Sequence, residues 1–104
     1  MTIQFNTDRN IDGNERLEAY VKTSITDELE HFSGHITRIE VHLSDENAGK
    51  TGPKDKRCTL EARSENRQPV AVTGNGDTIE KAVSDALEKL KAAMRKVEGK
   101  LKRH

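Results

Sequence analysis

The stretch TIEKAVSDALEKLKAAMRKVEGKL, residues 78–101, carries the strongest pattern in the chain. Its apolar residues Ile79, Ala82, Val83, Ala86, Leu87, Leu90, Met94, Val97 and Leu101 recur every three or four positions. That spacing predicts one long helix with a single apolar stripe over about six turns. Gly99 weakens its last turn. Such a helix needs a broad apolar surface to lie against, and the rest of the chain must supply it.

The preceding segments have a period of two. Ile39, Val41 and Leu43 alternate with Glu40, His42 and Ser44, and Cys58, Leu60 and Ala62 alternate with Arg57, Thr59, Glu61 and Arg63. After a turn near Glu65–Gln68, Val70 and Val72 continue the same rhythm. These read as three half-buried strands. Ile3 and Phe5 mark a fourth at the N-terminus, over residues 2–6. Between the first two strands, Leu17, Tyr20, Val21, Ile25, Leu29 and Phe32 predict a helix from about 14 to 32. Asp12 or Asn14 can cap its start and Gly34 can stop it. The breakers in residues 45–53 predict a mobile loop between neighbouring antiparallel strands.

The fold expected is therefore α+β, in the order β-α-β-β-β-α. The intervening helix permits a parallel crossover between the first two strands, and the short later links favour antiparallel pairing, giving a four-stranded mixed sheet. One apolar stripe per helix and one apolar face per strand place both helices on one face. The other face, with Glu40, His42, Arg57, Thr59, Glu61, Arg63 and Thr73, is left to water.

With 104 residues the chain has room for one domain, spanning 1–104. Only 32% of residues are apolar and 35% are charged, so the core must be small. No apolar run is long enough for a membrane span, and no secretory signal is present, which points to a soluble cytoplasmic protein. A single cysteine, Cys58, excludes an internal disulfide.

Eighteen Lys and Arg balance eighteen Asp and Glu, an average that by itself argues against nucleic-acid binding. The balance is a cancellation. Residues 1–50 carry ten acids and five bases, a net of −5, whereas residues 51–104 carry eight acids and thirteen bases, a net of +5. Lys81, Lys89, Arg95, Lys96, Lys100 and Arg103 fall on one flank of the second helix, away from its apolar stripe. The first helix opposes them with Asp27, Glu28 and Glu30 near its end, and has Arg16 and Lys22 as its bases. The ridge is either a solvated face favoured by the helix dipole or a surface for phosphates.

Catalytic motifs fail on spacing. Gly49-Lys50-Thr51 has the ending of a phosphate loop, but the glycine needed five positions earlier is Ser44. Gly74-Asn75-Gly76 starts like a dinucleotide fingerprint, but its third glycine position is Ile79, so it reads as a turn with a helix cap. His31 and His35 lack a third ligand, so no metal is expected. Cys58 sits on an apolar strand face and reads as a core residue, and no Asp or Glu falls on an apolar stripe. Neither an enzyme nor a cofactor is implied.

Taken in order, Thr7-Asp8-Arg9-Asn10-Ile11, then Leu17, Tyr20 and Val21, then Ala82-Val83, Leu87-Glu88-Lys89-Leu90 and Lys100-Leu101-Lys102-Arg103-His104, the chain resembles the hibernation-promoting factor and ribosome-associated inhibitor A family. The resemblance implies the same β-α-β-β-β-α fold. It also implies a hibernation factor of the stress response that regulates translation: binding to the 30S small ribosomal subunit and its 16S rRNA, in the channel used by messenger RNA and tRNA. Lys89, Lys96 and Lys100 match family bases on the second helix, Lys102 matches one in the tail, and Arg95 extends the ridge. Lys22, Lys81 and Arg103 complete the candidate RNA-binding set. Where the family has Asp-x-Tyr at the start of the second helix, this chain has Thr78 and Glu80. It also ends just after that helix, without the added domain by which long members pair ribosomes, and a monomer is expected. The alternative reading is a protein-interaction module on the same fold, working through the acidic first-helix surface without the ribosome.

Overall fold

Burial alternates residue by residue along the strands, and every buried position on them faces the same side. In the computed structural model, which describes residues 1–9, 11–32, 36–46 and 56–102 and the side chains of the last helix up to Val97, the elements are β1 (Thr2–Thr7), α1 (Glu15–Glu28), β2 (Arg38–Asp45), β3 (Lys56–Arg63), β4 (Val70–Gly76) and α2 (Ile79–Lys102). The sheet order is β1-β2-β3-β4. β1 runs parallel to β2 in the register Ile3↔Ile39 and Phe5↔Val41, and the other pairs are antiparallel, with Val41↔Leu60 and Leu60↔Val72. The mixed four-stranded sheet expected from the periodicity is present.

Ile39, Val41, Leu43, Cys58, Leu60 and Ala62 form the buried sheet face, and both helices cover it with Val21, Ile25, Leu29, Ala82, Val83, Ala86, Leu87, Leu90 and Met94. On the open face the cross-strand register sets Arg38 opposite Arg63 and Glu40 opposite Glu61. Like charges placed directly opposite each other repel, and the diagonal contacts relieve this. Arg63 reaches Glu40 at 3.1 Å and Glu61 at 2.7 Å. Partial desolvation pushes the Glu40 carboxyl up, but the Arg63 hydrogen bond and the charges of Arg38 and Arg63 outweigh it and hold the group below the usual carboxylate range.

Four sequence expectations need correction. α1 begins where expected, with the Asn14 side chain accepting from the Leu17 N–H at 2.8 Å, but it ends at Glu28 rather than near residue 32. The chain tightens into a 3-10 turn, Glu30–Phe32, and the shorter repeat still brings Phe32 into the core above Leu29. Gly34, the expected stop, lies outside the described residues, as do residues 47–53 of the expected loop. Tyr20 is 42% exposed. It sits about 100° around the helix from Val21, and the buried stripe turns toward Val21, Ile25 and Leu29, away from it. Asp45 does occupy a core-facing strand position, only 8% exposed, where its carboxylate pairs with Lys56 at 3.3 Å and its N–H donates to Asp8. A polar residue is tolerated there because β2 extends two pairs further than its apolar residues reach, to the rung Asp45↔Lys56.

The fourth correction decides how α2 sits. Gly74-Asn75-Gly76 is strand, not turn. A Cβ on Gly74 would stand 2.2 Å from the Ala86 nitrogen and 2.5 Å from the Ala82 carbonyl oxygen, and one on Gly76 would meet Lys81 Cβ at 2.7 Å. The glycines are there because helix backbone passes directly over strand backbone, with Ala82 and Ala86 as the small residues on the other side. Thr78 makes the helix cap, its hydroxyl accepting from the Lys81 N–H at 3.1 Å.

A Gly74→Ala substitution should therefore lower the unfolding free energy by about 3 kcal/mol, and Gly76→Ala by less, since its nearest helix backbone atom, Ala82 N at 2.8 Å, leaves a milder clash than the 2.2 Å at Gly74. Urea denaturation measures both. A Gly74→Ala protein as stable as the parent would contradict this packing.

Candidate nucleic-acid interface

Because α2 buries Ala82, Val83, Ala86, Leu87, Leu90 and Met94, its opposite face is fixed outward over the described side chains. That face is not uniform. In its first half each base has an acidic neighbour one turn away. Lys81 pairs with Asp77 at 3.1 Å and Lys89 with Asp85 at 3.2 Å. Lys89 also donates to the Thr73 carbonyl at 3.0 Å, while Asp85 accepts the Asn75 N–H at 3.0 Å. Thr73 and Asn75 belong to an outer strand, so these two side chains close part of a sheet edge that would otherwise be open to pairing.

Lys91 faces the other way, toward α1. Only 16% exposed, it reaches Glu28 at 2.6 Å and Glu88 at 3.0 Å. Its hydrogen bond to Glu28, then that to Glu88, holds the ammonium above its ordinary pKa. The acidic end of α1 thus binds the two helices together.

From Arg95 onward the character changes. Arg95 and Lys96 are exposed and form no ion pair among the described residues. The backbone of Lys100 and Lys102 continues the helix; their side chains, and Arg103 altogether, lie outside the described residues. Lys22 is placed apart from all of these. It pairs with Glu18 at 2.7 Å and lies with Glu15 and Ala19 on the flank of α1 that faces away from α2. Of the bases expected from sequence, Arg95 and Lys96 are thus brought together in the open, whereas Lys81, Lys89 and Lys22 already hold carboxylates.

Among the described residues no catalytic group competes for the site. Cys58 is fully buried and burial pushes its thiol up to about 12, so it stays protonated and unreactive. No three of His, Cys, Asp or Glu are grouped to hold a metal among the described residues. His31 is exposed, while His35 and Gly49-Lys50-Thr51 lie outside the described residues. No helix among the described residues is long and apolar enough to cross a membrane.

Residues 5–102 match the sequence profile of the family described as sigma 54 modulation protein / S30EA ribosomal protein. The chain belongs to that family. Its members are ribosome-associated proteins and not enzymes. Among solved structures, the N-terminal domain of Protein Y from Thermus thermophilus is similar, with a TM-score of 0.73 and 18% identity over 93% of this chain and 99% of that one. A ribosomal subunit interface protein from Coxiella burnetii gives a TM-score of 0.73 and 16% identity over 95% of this chain and 99% of that one. These likenesses show a shared fold. No curated protein matches the chain at a significant level.

Within this family fold, Lys91 is a base that the ridge read from sequence did not include, and it serves the inside of the molecule. A double-mutant cycle on Glu28→Gln and Lys91→Met, read by thermal unfolding, should give a larger coupling than the same cycle on Asp77→Asn and Lys81→Met. Equal couplings would mean that the bridge between helices holds nothing in place.

Proposed function

We propose that the protein inhibits translation by occupancy. The C-terminal half of α2 lies against 16S rRNA phosphates of the 30S subunit, and the domain fills part of the channel through which messenger RNA and tRNA pass. It does so in the cytoplasm, as a single copy, when growth slows, with no cofactor and no chemical step. The observation that carries this reading is the exposed pair Arg95 and Lys96, without an ion pair among the described residues, on a helix whose earlier bases are all engaged. Membership of a ribosome-associated family supports it. So does the sequence beyond, where Lys100, Lys102 and Arg103 face only Glu98.

The physical term is counterion release, in which each phosphate neutralised by a lysine or arginine frees condensed cations. An ion-paired lysine contributes less, because it must first give up its carboxylate. The reading therefore ranks the bases: Arg95 and Lys96 above Lys81 and Lys89, and these above Lys22, which lies on another flank.

Reversal of the leading pair, Arg95→Glu with Lys96→Glu, should abolish co-sedimentation with 30S subunits at moderate salt, while Lys81→Glu leaves it largely intact. Retention of binding by the double variant would overturn the proposal. Neutralising the pair, Arg95→Ala with Lys96→Ala, should make the dependence of log affinity on log salt shallower by about 1.5, at roughly 0.7–0.9 for each phosphate that is no longer neutralised. An unchanged slope would exclude both side chains from the phosphate-binding surface.

A further inference from the structure

The two helices run in the same direction, with Tyr20 beside Ile79 and Val83, Glu28 beside Lys91, and Phe32 beside Arg95. Between them lies a groove of three adjoining hollows that share Tyr20, and then Asp27 and Glu28, as common walls. The central one has a volume of about 220 Å³. Val83 and Leu87 form its floor and Tyr20 stands at its rim, the one residue of the apolar stripe read from α1 that the core does not take.

Charge is one-sided in the two hollows that share Tyr20. Both walls bring carboxylates, Asp27 and Glu28 from α1 and Glu80 and Glu88 from α2, and Asp12 closes the end nearest the helix starts. The bases that line the groove are Arg16 at one end, Arg95 in the hollow at the other end, and Lys91, which is already held by Glu28 and Glu88. The carboxylates of Asp12, Asp27 and Glu80 pair with nothing among the described residues. An exposed ring flanked on both sides by unneutralised carboxylates suits a guanidinium, which stacks on the ring and donates to a carboxylate at the same time. It repels phosphate.

The geometry points to this groove as a docking site for an arginine-rich, extended segment of a partner protein. The distance from Tyr20 to Asp27 is seven residues of helix, about 10 Å at 1.5 Å per residue. An extended chain covers that length in about three residues, so two or three arginines can engage the ring and the carboxylates together. The part of the groove around Tyr20 is separate from the basic end of α2, and one molecule can use both: RNA on the basic end and a basic protein segment beside Tyr20. The inference does not rest on the RNA reading.

Tyr20 is the only tyrosine, and the chain has no tryptophan, so intrinsic fluorescence reports from this groove alone. Titration of the whole protein with hexa-arginine should change that emission saturably. Hexa-lysine, which lacks the planar group, should bind at least fivefold more weakly. Asp27→Asn with Glu80→Gln should weaken hexa-arginine binding tenfold or more, whereas Glu15→Gln with Glu18→Gln, the same charge change on the far flank of α1, should alter it less than twofold. Lys96→Glu, at a residue that lines none of the three hollows, should leave it intact, which separates this test from that of RNA binding. The inference fails if emission does not saturate, if the two neutralised variants weaken binding equally, or if a uridine oligonucleotide displaces the peptide. Circular dichroism of each variant establishes that it is folded.

Discussion

Contact between the backbones of α2 and β4 is the constraint from which the rest of this structure follows. Gly74 and Gly76 leave no side chain on the strand, and Ala82 and Ala86 leave almost none on the helix, so the two elements meet without spacers. Packing this close fixes both the height and the rotation of α2. Once the rotation is fixed, Asp85 and Lys89 fall at the edge of β4, Lys91 falls against α1, and Arg95 and Lys96 fall in the open. A bulkier strand would lift the helix and disturb all of these placements together.

The same constraint explains how a chain of zero net charge presents a basic surface. Acids and bases are not mixed evenly over the molecule. Acidic residues of α1 and of the first half of α2 satisfy the nearby lysines, directly or across the groove between the helices, and the bases that follow Lys91 along α2 have no such partners among the described residues. Total charge describes behaviour far from the protein. At close range, within a Debye length of roughly 8–10 Å, what a ligand meets is the local arrangement. Here that arrangement has two poles, a basic one at Arg95 and Lys96 and an acidic one around Tyr20.

Much of the fold could be read directly from residue order, because hydrophobic period is a local property. The alternation of Ile39, Val41 and Leu43 and the stripe from Ile79 to Met94 each specify an element and its buried side without reference to anything distant. The misreadings share a cause. Glycines at 74 and 76 signal a turn when only neighbours in sequence are considered, and become strand residues because a helix further along the chain needs the space. Tyr20 counts as apolar in a stripe, but which edge of a stripe stays exposed depends on where the sheet lies beneath it. Asp45 joins the core because Lys56, its partner across the strand pair, is held opposite.

For the candidate site, sequence supplied the basic residues and the flank of α2 that bears most of them. It could not tell a lysine that is free from one that is held, since that depends on distances of a few ångströms between residues as far apart in the chain as Glu28 and Lys91. Sequence by itself determined the order of elements, their buried faces and the uneven distribution of charge, because each is set by side chains along a continuous stretch. Tertiary structure alone decided which charges neutralise one another and which aromatic ring is left in the open, because both depend on the approach of surfaces that are remote in sequence.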